Sequence, residues 1–512
     1  MIGAEIVVRT LVNCGVDTCF ANPGTSEMHF LSALDAVPAM RPVLALQENV
    51  ATGAADGFAR IAGRPAATLL HLGPGLANGL SNLHNAARAL SPVVNIVGDH
   101  ATGHRRLDAP LTSDIISLAR TVGVSTRCVM PGRGAGAETA AAVADSLGPV
   151  PGVATLLLPA DAAWQEAGEG VAGLHHEPGP ATPPVDPRVV VAALRQPGAV
   201  LFLGHGAVRG KALRLAGQIA RATGAALVAQ TTNPVTDRGA GCVAVERLPF
   251  APDLARERLA SAPALVLAGA RAPVAFFAYP GKPGRLSAPD TAVIEYFPPE
   301  CPAIEALAAL ADACGTTADT DVTAHVIPDR PTGPLNAGAL GAVLARHLVE
   351  GAVVVDEAIT NGVAIAAATR GAAPHRWCQN MGGSIGYGAP LATGCAIADP
   401  TVPVVALIGD GSAMYTIQAL WTHAREGLNV TTIILANRRY SILQSEVAKL
   451  DRRHESDVME KMLRIDGPRL DFVHLARGMD VPAERVTTAD ALDRVLEEAM
   501  RTRGPMLIEV DL

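Results

Sequence analysis

Residues Val402 to Tyr440 have the sequence VPVVALIGDGSAMYTIQALWTHAREGLNVTTIILANRRY, in which two apolar runs flank a helical pattern. The first run ends at Asp410, and the second ends at Asn437. The pattern between them predicts one helix from about Ser412 to Gly427. A right-handed crossover makes two such strands parallel and commonly adjacent. Asp410 and Asn437 are therefore predicted to share the carboxyl edge of one sheet.

This pair of side chains indicates a metal and diphosphate site. Magnesium prefers carboxylate, amide and main-chain carbonyl oxygens and keeps phosphate oxygens as further ligands. The main-chain oxygen of Arg439 is a third candidate ligand. Gly409 and Gly411 allow the backbone to approach an anion, and the helix start after them offers unpaired N–H groups. A tight turn after a strand would also need these glycines, but Asn437 at the end of the next run favours the site.

Apolar strand runs alternate with helical patterns along the whole chain. Its 512 residues suggest about three domains. Two proline-rich stretches, at 175–187 and 325–336, divide the chain, because consecutive prolines can neither continue a helix nor join a strand ladder. The sequence predicts an α/β protein with three doubly wound parallel-sheet domains. Their predicted boundaries are 1–174, 188–324 and 337–512.

Composition excludes several other classes of protein. The chain has 41 Lys and Arg against 49 Asp and Glu, a formal charge of −8, which does not favour binding to nucleic acid or to anionic lipid. No apolar stretch is long enough to span a bilayer, and the start lacks the pattern of a secretory signal. We therefore expect a cytoplasmic enzyme with neither a nucleic acid nor a membrane as partner.

The GDG, helix, strand and Asn succession resembles the signature of the thiamine-diphosphate-dependent enzymes. In that family the Asp, the Asn and a carbonyl two residues beyond the Asn bind magnesium, which implies these roles for Asp410, Asn437 and Arg439. The resemblance also implies a domain order of pyrimidine-binding, middle and diphosphate-binding domains. Because family members form each cleft between two subunits, it implies a homodimer or a homotetramer.

The same resemblance implies further contacts to thiamine diphosphate. Glu48, at the end of PVLALQE, corresponds to the glutamate that protonates the aminopyrimidine ring; an acidic residue in a first helical turn is the structural alternative. Ile385, in NMGGSIGYG, corresponds to the large apolar residue beneath the cofactor, although it could be ordinary core. The other implied contacts, besides Asp410 and Asn437, are Gly73, Asn78, Thr360, Asn361, Gly383, Ser384, Gly409, Gly411, Ser412, Ala413 and Tyr440. Asn361 departs from the family's loop, which is rich in Ser and Thr.

Within the family, the pattern most resembles benzoylformate decarboxylase. FANPGTSEMHF resembles its NPGSNE loop with Thr25 in place of Ser, and LLHLGPG puts His71 at its catalytic histidine. The resemblance implies that Thr25 anchors the substrate carboxylate and that His71 moves a proton. Leu111, in DAPLTS, and Leu443 are implied pocket residues. Phe276 completes the pocket, at the position of a second catalytic histidine that this chain lacks.

The sequence therefore predicts a thiamine-diphosphate- and magnesium-dependent 2-keto acid decarboxylase or carboligase, the latter using an aldehyde or a second keto acid as acceptor. One alternative is an enzyme like the acetolactate synthase large subunit, although Pro110-Leu111 replaces that enzyme's Phe-Gln pair. Another is a catalytically weak regulatory paralogue. FAD is not expected, because GARAPVAFF replaces the flavin-binding segment. The charged stretch at 444–471 is predicted to be either a lid or a solvated surface helix.

Overall fold

The computed structural model describes residues 1–168, 170–175, 185–316, 319–447 and 457–512, with the side chain of residue 457 left out. These residues form two compact units. The first comprises Met1–His176, Ile327–Thr369 and Gly382–Leu512, and the second comprises Glu177–Val326 and Arg370–Met381. Most of the predicted linker at 175–187 and part of the predicted lid at 444–471 lie outside the described residues. The predicted domain boundaries stay a prediction. No helix in the described ranges is long and apolar enough to cross a membrane.

The N-terminal part of the first unit is a parallel sheet with the strand order β2-β1-β3-β4-β6-β5. Strands β3, β4 and β6 are buried along their whole length, as expected for the apolar runs of a parallel sheet. The strand Gly123–Cys128, GVSTRC, is only partly buried and has no apolar run to mark it in the sequence. The elements are α1 (Gly3–Asn13), β1 (Thr18–Asn22), α2 (Met28–Ala36), β2 (Arg41–Leu44), α3 (Glu48–Ala62), β3 (Ala66–Leu70), α4 (Leu72–Ala89), β4 (Val93–Asp99), α5 (Ile115–Arg120), β5 (Gly123–Cys128), α6 (Ala135–Leu147), β6 (Val153–Pro159) and α7 (Ala160–Trp164), with 3₁₀ turns at Thr25–Glu27 and Arg105–Leu107.

The second unit has a parallel sheet of its own, with the order β10-β8-β7-β11-β12. Its elements are α8 (Pro187–Leu194), β7 (Val200–Leu203), α9 (Gly210–Thr223), β8 (Ala226–Ala229), β9 (Val235–Arg238), β10 (Glu246–Arg247), α10 (Pro252–Leu259), β11 (Ala264–Ala268), β12 (Ala292–Phe297) and α11 (Ala303–Cys314), with a 3₁₀ turn at His205–Val208. Helices α9 and α11 pack together over this sheet.

The C-terminal part of the chain returns to the first unit, where five parallel strands have the order β17-β18-β16-β15-β13. Its elements are α12 (Ala337–His347), β13 (Val353–Glu357), α13 (Gly362–Ala368), β14 (His375–Gln379), α14 (Gly388–Ala398), β15 (Val404–Gly409), α15 (Asp410–Ala413), α16 (Ala419–Arg425), β16 (Val430–Ala436), α17 (Ser441–Val447), α18 (Asp457–Leu463), α19 (Phe472–Arg477), β17 (Ala483–Val486), α20 (Ala489–Arg501) and β18 (Met506–Asp511), with a 3₁₀ turn at Ile359–Asn361. Of these, β14 lies in the second unit, where it pairs antiparallel with β9. Parallel sheets therefore dominate, and the predicted α/β class is confirmed.

The prediction of one helix from Ser412 to Gly427 was wrong. Helix α15 ends at Ala413, and α16 begins only at Ala419. The chain turns between them because Thr416 donates a hydrogen bond from Oγ1 to Gly386 O at 2.9 Å. A Cβ at Gly386 would overlap the side chain of Tyr415, so the turn lies directly against this glycine. A tertiary contact therefore overrides the local helical pattern.

Within the first unit, α3 packs tightly against α14. A Cβ at Gly57 would overlap the carbonyl oxygen of Leu391, and one at Gly394 would overlap that of Ala54. Only glycine permits backbones to approach this closely at both positions. This contact joins the helix that begins at Glu48 to the C-terminal part of the same chain.

Candidate functional site

Asp410 and Asn437 lie together at the carboxyl edge of the C-terminal sheet, as predicted. Strands β15 and β16 are paired in parallel, with Gly409 opposite Leu435, so the residues that follow them are neighbours. Asp410 is 4% exposed and accepts hydrogen bonds from the backbone N–H groups of Gly411 at 2.8 Å and Arg438 at 2.6 Å. Burial raises the pKa of Asp410, and the backbone N–H groups oppose that rise.

The oxygen atoms at this edge fit the ligands that magnesium prefers. Asn437 accepts a hydrogen bond at Oδ1 from Arg439 N at 3.1 Å. An antiparallel bridge beside it uses Arg438 O and Tyr440 N, and it does not use the Arg439 carbonyl. No group of three or more His, Cys, Asp or Glu side chains in the described ranges could hold a metal. A cation here would therefore need this mixed set of carboxylate, amide and carbonyl oxygens, which suits magnesium.

Arg438, between two of these candidate ligands, has an unusual backbone conformation. Its φ of 59° lies in the left-handed region, which is uncommon for a residue other than glycine. The residue is held at both ends, because its guanidinium pairs with Asp511 and its N–H donates to Asp410. The sequence contains no signal for this conformation, since Arg ordinarily avoids it.

The predicted diphosphate contacts converge near the same edge. A Cβ at Gly411 would lie 2.5 Å from Cε1 of Tyr440, so the tyrosine ring covers this glycine. A Cβ at Gly409 would lie 3.9 Å from Ile359, which places the Ile359–Asn361 turn beside the end of β15. Thr360 is exposed in that turn and Asn361 is half-buried, whereas Ser412 and Ala413 are buried. Burial raises the pKa of Tyr440.

The segment Gly382–Gly388, which carries Ile385, is held from two sides. On one side α4 contacts it: Asn85 donates from Nδ2 to Ser384 O at 2.9 Å, and Asn82 donates to Gly386 O at 3.3 Å. On the other side the carboxylate of Glu357 accepts backbone hydrogen bonds from it. Gly383 has a φ of 84°, which favours glycine, and Ile385 is half-buried. The predictions did not include Glu357.

Glu48 begins α3, so it occupies the first-turn position that was the structural alternative. Gln47 caps the helix by accepting a hydrogen bond from Val50 N at 3.2 Å. The Glu48 carboxylate is half-buried and accepts a hydrogen bond from Asn78 Nδ2 at 3.2 Å. A Cβ at Gly75 would lie 3.5 Å from Glu48 Oε1 and 3.4 Å from His71 Cβ, so Glu48 and His71 flank this glycine.

His71 is bound to a buried carboxylate that the predictions did not include. Its Nδ1 lies 2.8 Å from Oε2 of Glu27, which is 3% exposed. Ser26 lies 3.2 Å from the same nitrogen and also donates to Glu27 Oε1 at 2.5 Å. Thr25 is exposed, so it is the neighbouring hydroxyl of Ser26 that contacts His71. The glutamate of the quoted NPGSNE motif was the signal that could have identified Glu27.

The remaining pocket predictions fall in three places. A Cβ at Gly73 would overlap the hydroxyl of Ser113, so the loop that carries Leu111 lies against the start of α4. Leu111 is exposed and has a φ of 77°. Leu443 is exposed on α17, which packs against the Ile359–Asn361 turn. Phe276 belongs to the second unit and packs on Phe250, with the ring centroids 4.8 Å apart.

Two family models match this chain. One describes the N-terminal TPP binding domain of thiamine pyrophosphate enzymes and matches residues 1–118, and the other describes their C-terminal TPP binding domain and matches residues 360–510. The chain is also 48% identical over 514 residues to a protein of Mycobacterium tuberculosis named "Putative acetolactate synthase large subunit IlvX", covering 100% of this chain and 99% of that protein. The chain belongs to the thiamine pyrophosphate enzyme family.

Other thiamine pyrophosphate enzymes resemble this chain over almost its whole length. A benzoylformate decarboxylase of Pseudomonas aeruginosa is 28% identical, with 97% of this chain and 96% of the relative covered. Among solved structures, the thiamine diphosphate-dependent 4-hydroxybenzoylformate decarboxylase of Rhodococcus jostii RHA1 has a TM-score of 0.83 at 24% identity, with 100% of this chain and 99% of that chain covered. The structural likeness supports the fold, and the family membership supports thiamine diphosphate as cofactor.

Proposed function

We propose that this member of the family is a magnesium-dependent decarboxylase or carboligase of 2-keto acids, with thiamine diphosphate as cofactor. The observation that carries the proposal is that Glu48 and His71 flank Gly75 and that His71 is bound to Glu27, which brings two groups able to move protons close together. The relatives named as decarboxylases act, by their names, on benzoylformate and 4-hydroxybenzoylformate, which are 2-keto acids.

In this proposal the C-terminal edge holds the cofactor's charged end. Asp410, Asn437 and the Arg439 carbonyl would hold magnesium, and the backbone from Gly409 to Ala413, together with Thr360 and Asn361, would surround the diphosphate. Bound thiamine diphosphate supplies an electron sink for breaking the bond between the carboxylate and the carbonyl carbon of the substrate. Tyr440 closes over Gly411 and limits the access of water to the buried Asp410.

Glu48 would exchange a proton with the cofactor's pyrimidine ring. Among the residues that the structure describes, one side chain, the Asn78 amide, donates to its carboxylate. The carboxylate therefore keeps oxygen lone pairs for another partner. Asn78 fixes the direction in which the carboxylate points. The glycine at position 75 leaves open the space beside Glu48 Oε1.

His71 would transfer a proton to or from the bound substrate through Nε2. A carboxylate accepts hydrogen bonds, so the contact with Glu27 at 2.8 Å assigns the proton of the neutral ring to Nδ1. Nε2 then remains as the atom directed away from Glu27. Thr25, exposed on the same 3₁₀ turn, would anchor the substrate carboxylate.

Product analysis tests the proposed reaction. The purified chain, loaded with thiamine diphosphate and magnesium, is incubated with a panel of aliphatic and aryl 2-keto acids, with and without an acceptor aldehyde. We expect release of carbon dioxide that requires both the cofactor and the metal. Absence of carbon dioxide and of ligated product across the panel, despite measurable cofactor binding, would refute the proposal.

Acetolactate synthesis from pyruvate is the second candidate function, because the relative that is 48% identical carries that name. Incubation with pyruvate alone separates the two candidates. Formation of acetolactate as the main product would favour the second candidate, and its absence beside activity on other keto acids would favour the first.

We also propose a homodimer or larger homo-oligomer in which Glu48 of one subunit faces Asp410 of another. Within one chain, the hydrogen-bond partner of Glu48 lies on α4, whereas those of Asp410 lie around the ends of β15 and β16. Mixing inactive Glu48→Gln and Asp410→Asn variants tests this arrangement. Shared sites predict recovery of about a quarter of the wild-type activity on random reassociation, since half of the dimers have one intact site. No recovery despite proven exchange of subunits would contradict it.

A further inference from the structure

Glu357 is a buried carboxylate whose partners are backbone groups. It ends β13 and is 1% exposed. Its Oε1 accepts a hydrogen bond from Gly386 N at 2.6 Å, and its Oε2 accepts one from Gly388 N at 2.7 Å. The backbone N–H of Tyr387 also donates to it. Three consecutive peptide groups therefore converge on one side chain.

Burying such a carboxylate costs free energy, because no cation in the described ranges pairs with it. Burial raises the pKa of Glu357 to about 7, even though the three backbone hydrogen bonds favour the ionised form. An apolar residue would fill the same space without the desolvation free energy that a buried carboxylate costs. The carboxylate therefore has an effect that packing alone does not have: its hydrogen bonds fix the conformation of the peptide groups that it binds.

The segment it binds follows directly after Ile385. Gly386 has a φ of 85°, in the region that favours glycine. A Cβ at Gly388 would lie 2.6 Å from Glu357 Oε2, so a side chain at position 388 would displace the carboxylate. Tyr387 is anchored as well, because its hydroxyl donates to Asp356 O. The backbone on the C-terminal side of Ile385 is thus fixed at each of the next three residues.

The N-terminal side of Ile385 is fixed by a different element. Asn85, on α4, binds both the N–H and the C=O of Ser384, at 3.2 and 2.9 Å. Ile385 lies between these two sets of contacts, and its side chain is only half-buried. The flanking backbone is rigidly held, while the side chain stays outside the buried core.

We propose that Glu357 is a positioning residue that fixes Ile385 as the support for the ring-bearing part of thiamine diphosphate. This inference rests on the proposed function, because it takes the cofactor site as given. It predicts that Glu357 strengthens the binding of the whole cofactor and has no effect on the binding of the diphosphate part alone. Removing the carboxylate releases the Gly386–Gly388 backbone, so the position of the Ile385 side chain is no longer fixed. The metal and diphosphate contacts at the end of β15 remain intact.

Comparison of two ligands tests the proposal. Dissociation constants are measured in excess magnesium for thiamine diphosphate and for inorganic pyrophosphate, in the wild type and in Glu357→Gln. An amide has a single acceptor oxygen, and its NH₂ faces a backbone donor. We expect thiamine diphosphate to bind about tenfold to a hundredfold more weakly in the variant. Pyrophosphate binding should stay unchanged.

A double-mutant cycle tests whether Glu357 acts through Ile385. Ile385→Ala should weaken thiamine diphosphate selectively as well, and the double variant should lose no more than the larger single effect. Additive losses would overturn the proposal, as would equal weakening of both ligands. Asp493→Asn is the matched control, because Asp493 is also a buried carboxylate of the C-terminal part but pairs with Arg330, Arg346 and His347. It should lower stability without changing the ratio of the two constants.

Two outcomes separate failure of this inference from failure of the proposed function. A wild-type chain that binds neither ligand refutes the cofactor site itself. A wild-type chain that binds both, with an unchanged ratio in Glu357→Gln, refutes only the role of Glu357. Where Glu357→Gln does not fold, Glu357→Asp replaces it, since it keeps the charge and withdraws the carboxylate by one methylene. The same selective loss is then expected.

Discussion

Glu48 and Glu357 are both glutamates near the carboxyl ends of parallel strands, but their surroundings differ. Glu48 is half-buried and accepts a hydrogen bond from one side chain, that of Asn78. Glu357 is fully buried, and three backbone N–H groups occupy its oxygens. A carboxylate that exchanges a proton with a bound molecule must keep a lone pair accessible, whereas one that shapes the backbone need not. The comparison separates a group suited to acid–base chemistry from a group suited to positioning.

The largest expected effect comes from removing the accessible carboxylate. In Glu48→Gln, hydrogen–deuterium exchange at the thiazolium carbon of bound thiamine diphosphate should slow by roughly 10²–10⁴-fold, because the amide cannot take up a proton. Quenched-flow NMR measures the exchange rate, and a fluorescence titration measures cofactor binding. Binding should persist, since Glu48 is not among the residues proposed to hold the metal and the diphosphate. Fast exchange in the variant would mean that another group activates the cofactor.

A third carboxylate, on the same helix as Glu48, extends the comparison. Asp56 forms a buried pair with Arg60, at 2.7 Å, and accepts a hydrogen bond from Ser91. Asp56→Asn leaves the Arg60 charge buried without its carboxylate, which should reduce the free energy of unfolding by about 3–5 kcal/mol. Urea denaturation measures this loss.

The matched control is Glu497→Gln, which removes an exposed ion pair of the same i,i+4 spacing, between Glu497 and Arg501. Exposed helical pairs contribute about 0.3–0.5 kcal/mol. Equal losses in the two variants would show that burial does not distinguish the pairs.

The fold and the meeting of Asp410 and Asn437 at one sheet edge were predictable from sequence because their signals lie in the side chains. The apolar runs of a buried parallel sheet mark the strands, and Asp410 and Asn437 end two of them. The roles of these residues in binding a metal stay a prediction. Strand β5 carries no such run, because it is mostly polar and only partly buried.

The residues that sequence reasoning missed act through the backbone or depend on local geometry. The partners of Glu357 are peptide N–H groups, which every residue except proline has, so no side-chain pattern marks it. Thr25 and Ser26 offer the same hydroxyl chemistry, and only the 3₁₀ turn determines that Ser26 contacts His71. Tyr440, by contrast, could be named from sequence because it lies within a recognisable motif, and its contact with the cofactor stays a prediction.

The histidines show the same contrast between side chains that a bound molecule can reach and side chains enclosed in the core. His423 is buried, its Nε2 lies 2.9 Å from Thr393 Oγ1, and burial lowers its pKa to about 4. The unfolded chain takes up this proton near pH 6.5, so folding stability should fall as the pH drops from about 6.5 to about 4, by about 3 kcal/mol. His423→Gln should remove this part of the acid sensitivity, as measured by urea denaturation at several pH values.

Stability measured at pH 7.5 is the internal control, because His423 is neutral there in both states, so any difference reflects packing alone. Burial also lowers the pKa of His375 to about 4. His375 therefore contributes acid sensitivity of the same sign, and that contribution should remain in His423→Gln. An unchanged pH profile in His423→Gln would contradict the assignment.

The smallest effect is expected at Glu27, which combines features of both kinds of carboxylate. This buried carboxylate accepts hydrogen bonds from Gly24 N, the Ser26 hydroxyl and His71 Nδ1, so it has three donors as Glu357 has. Unlike Glu357, it orients a side chain proposed to transfer protons. In Glu27→Gln, a single amide oxygen cannot accept from all three donors, and the imidazole loses its fixed tautomer. Losing the partner that orients a metal-binding imidazole commonly lowers activity about 10- to 100-fold, and we expect a loss of this order for His71. We expect that loss in kcat for a 2-keto acid, with KM changed little, in steady-state assays.

Ser26→Ala, which removes one donor and leaves the carboxylate, should have a smaller effect. If Ser26→Ala matched Glu27→Gln, the hydroxyl rather than the carboxylate would orient His71.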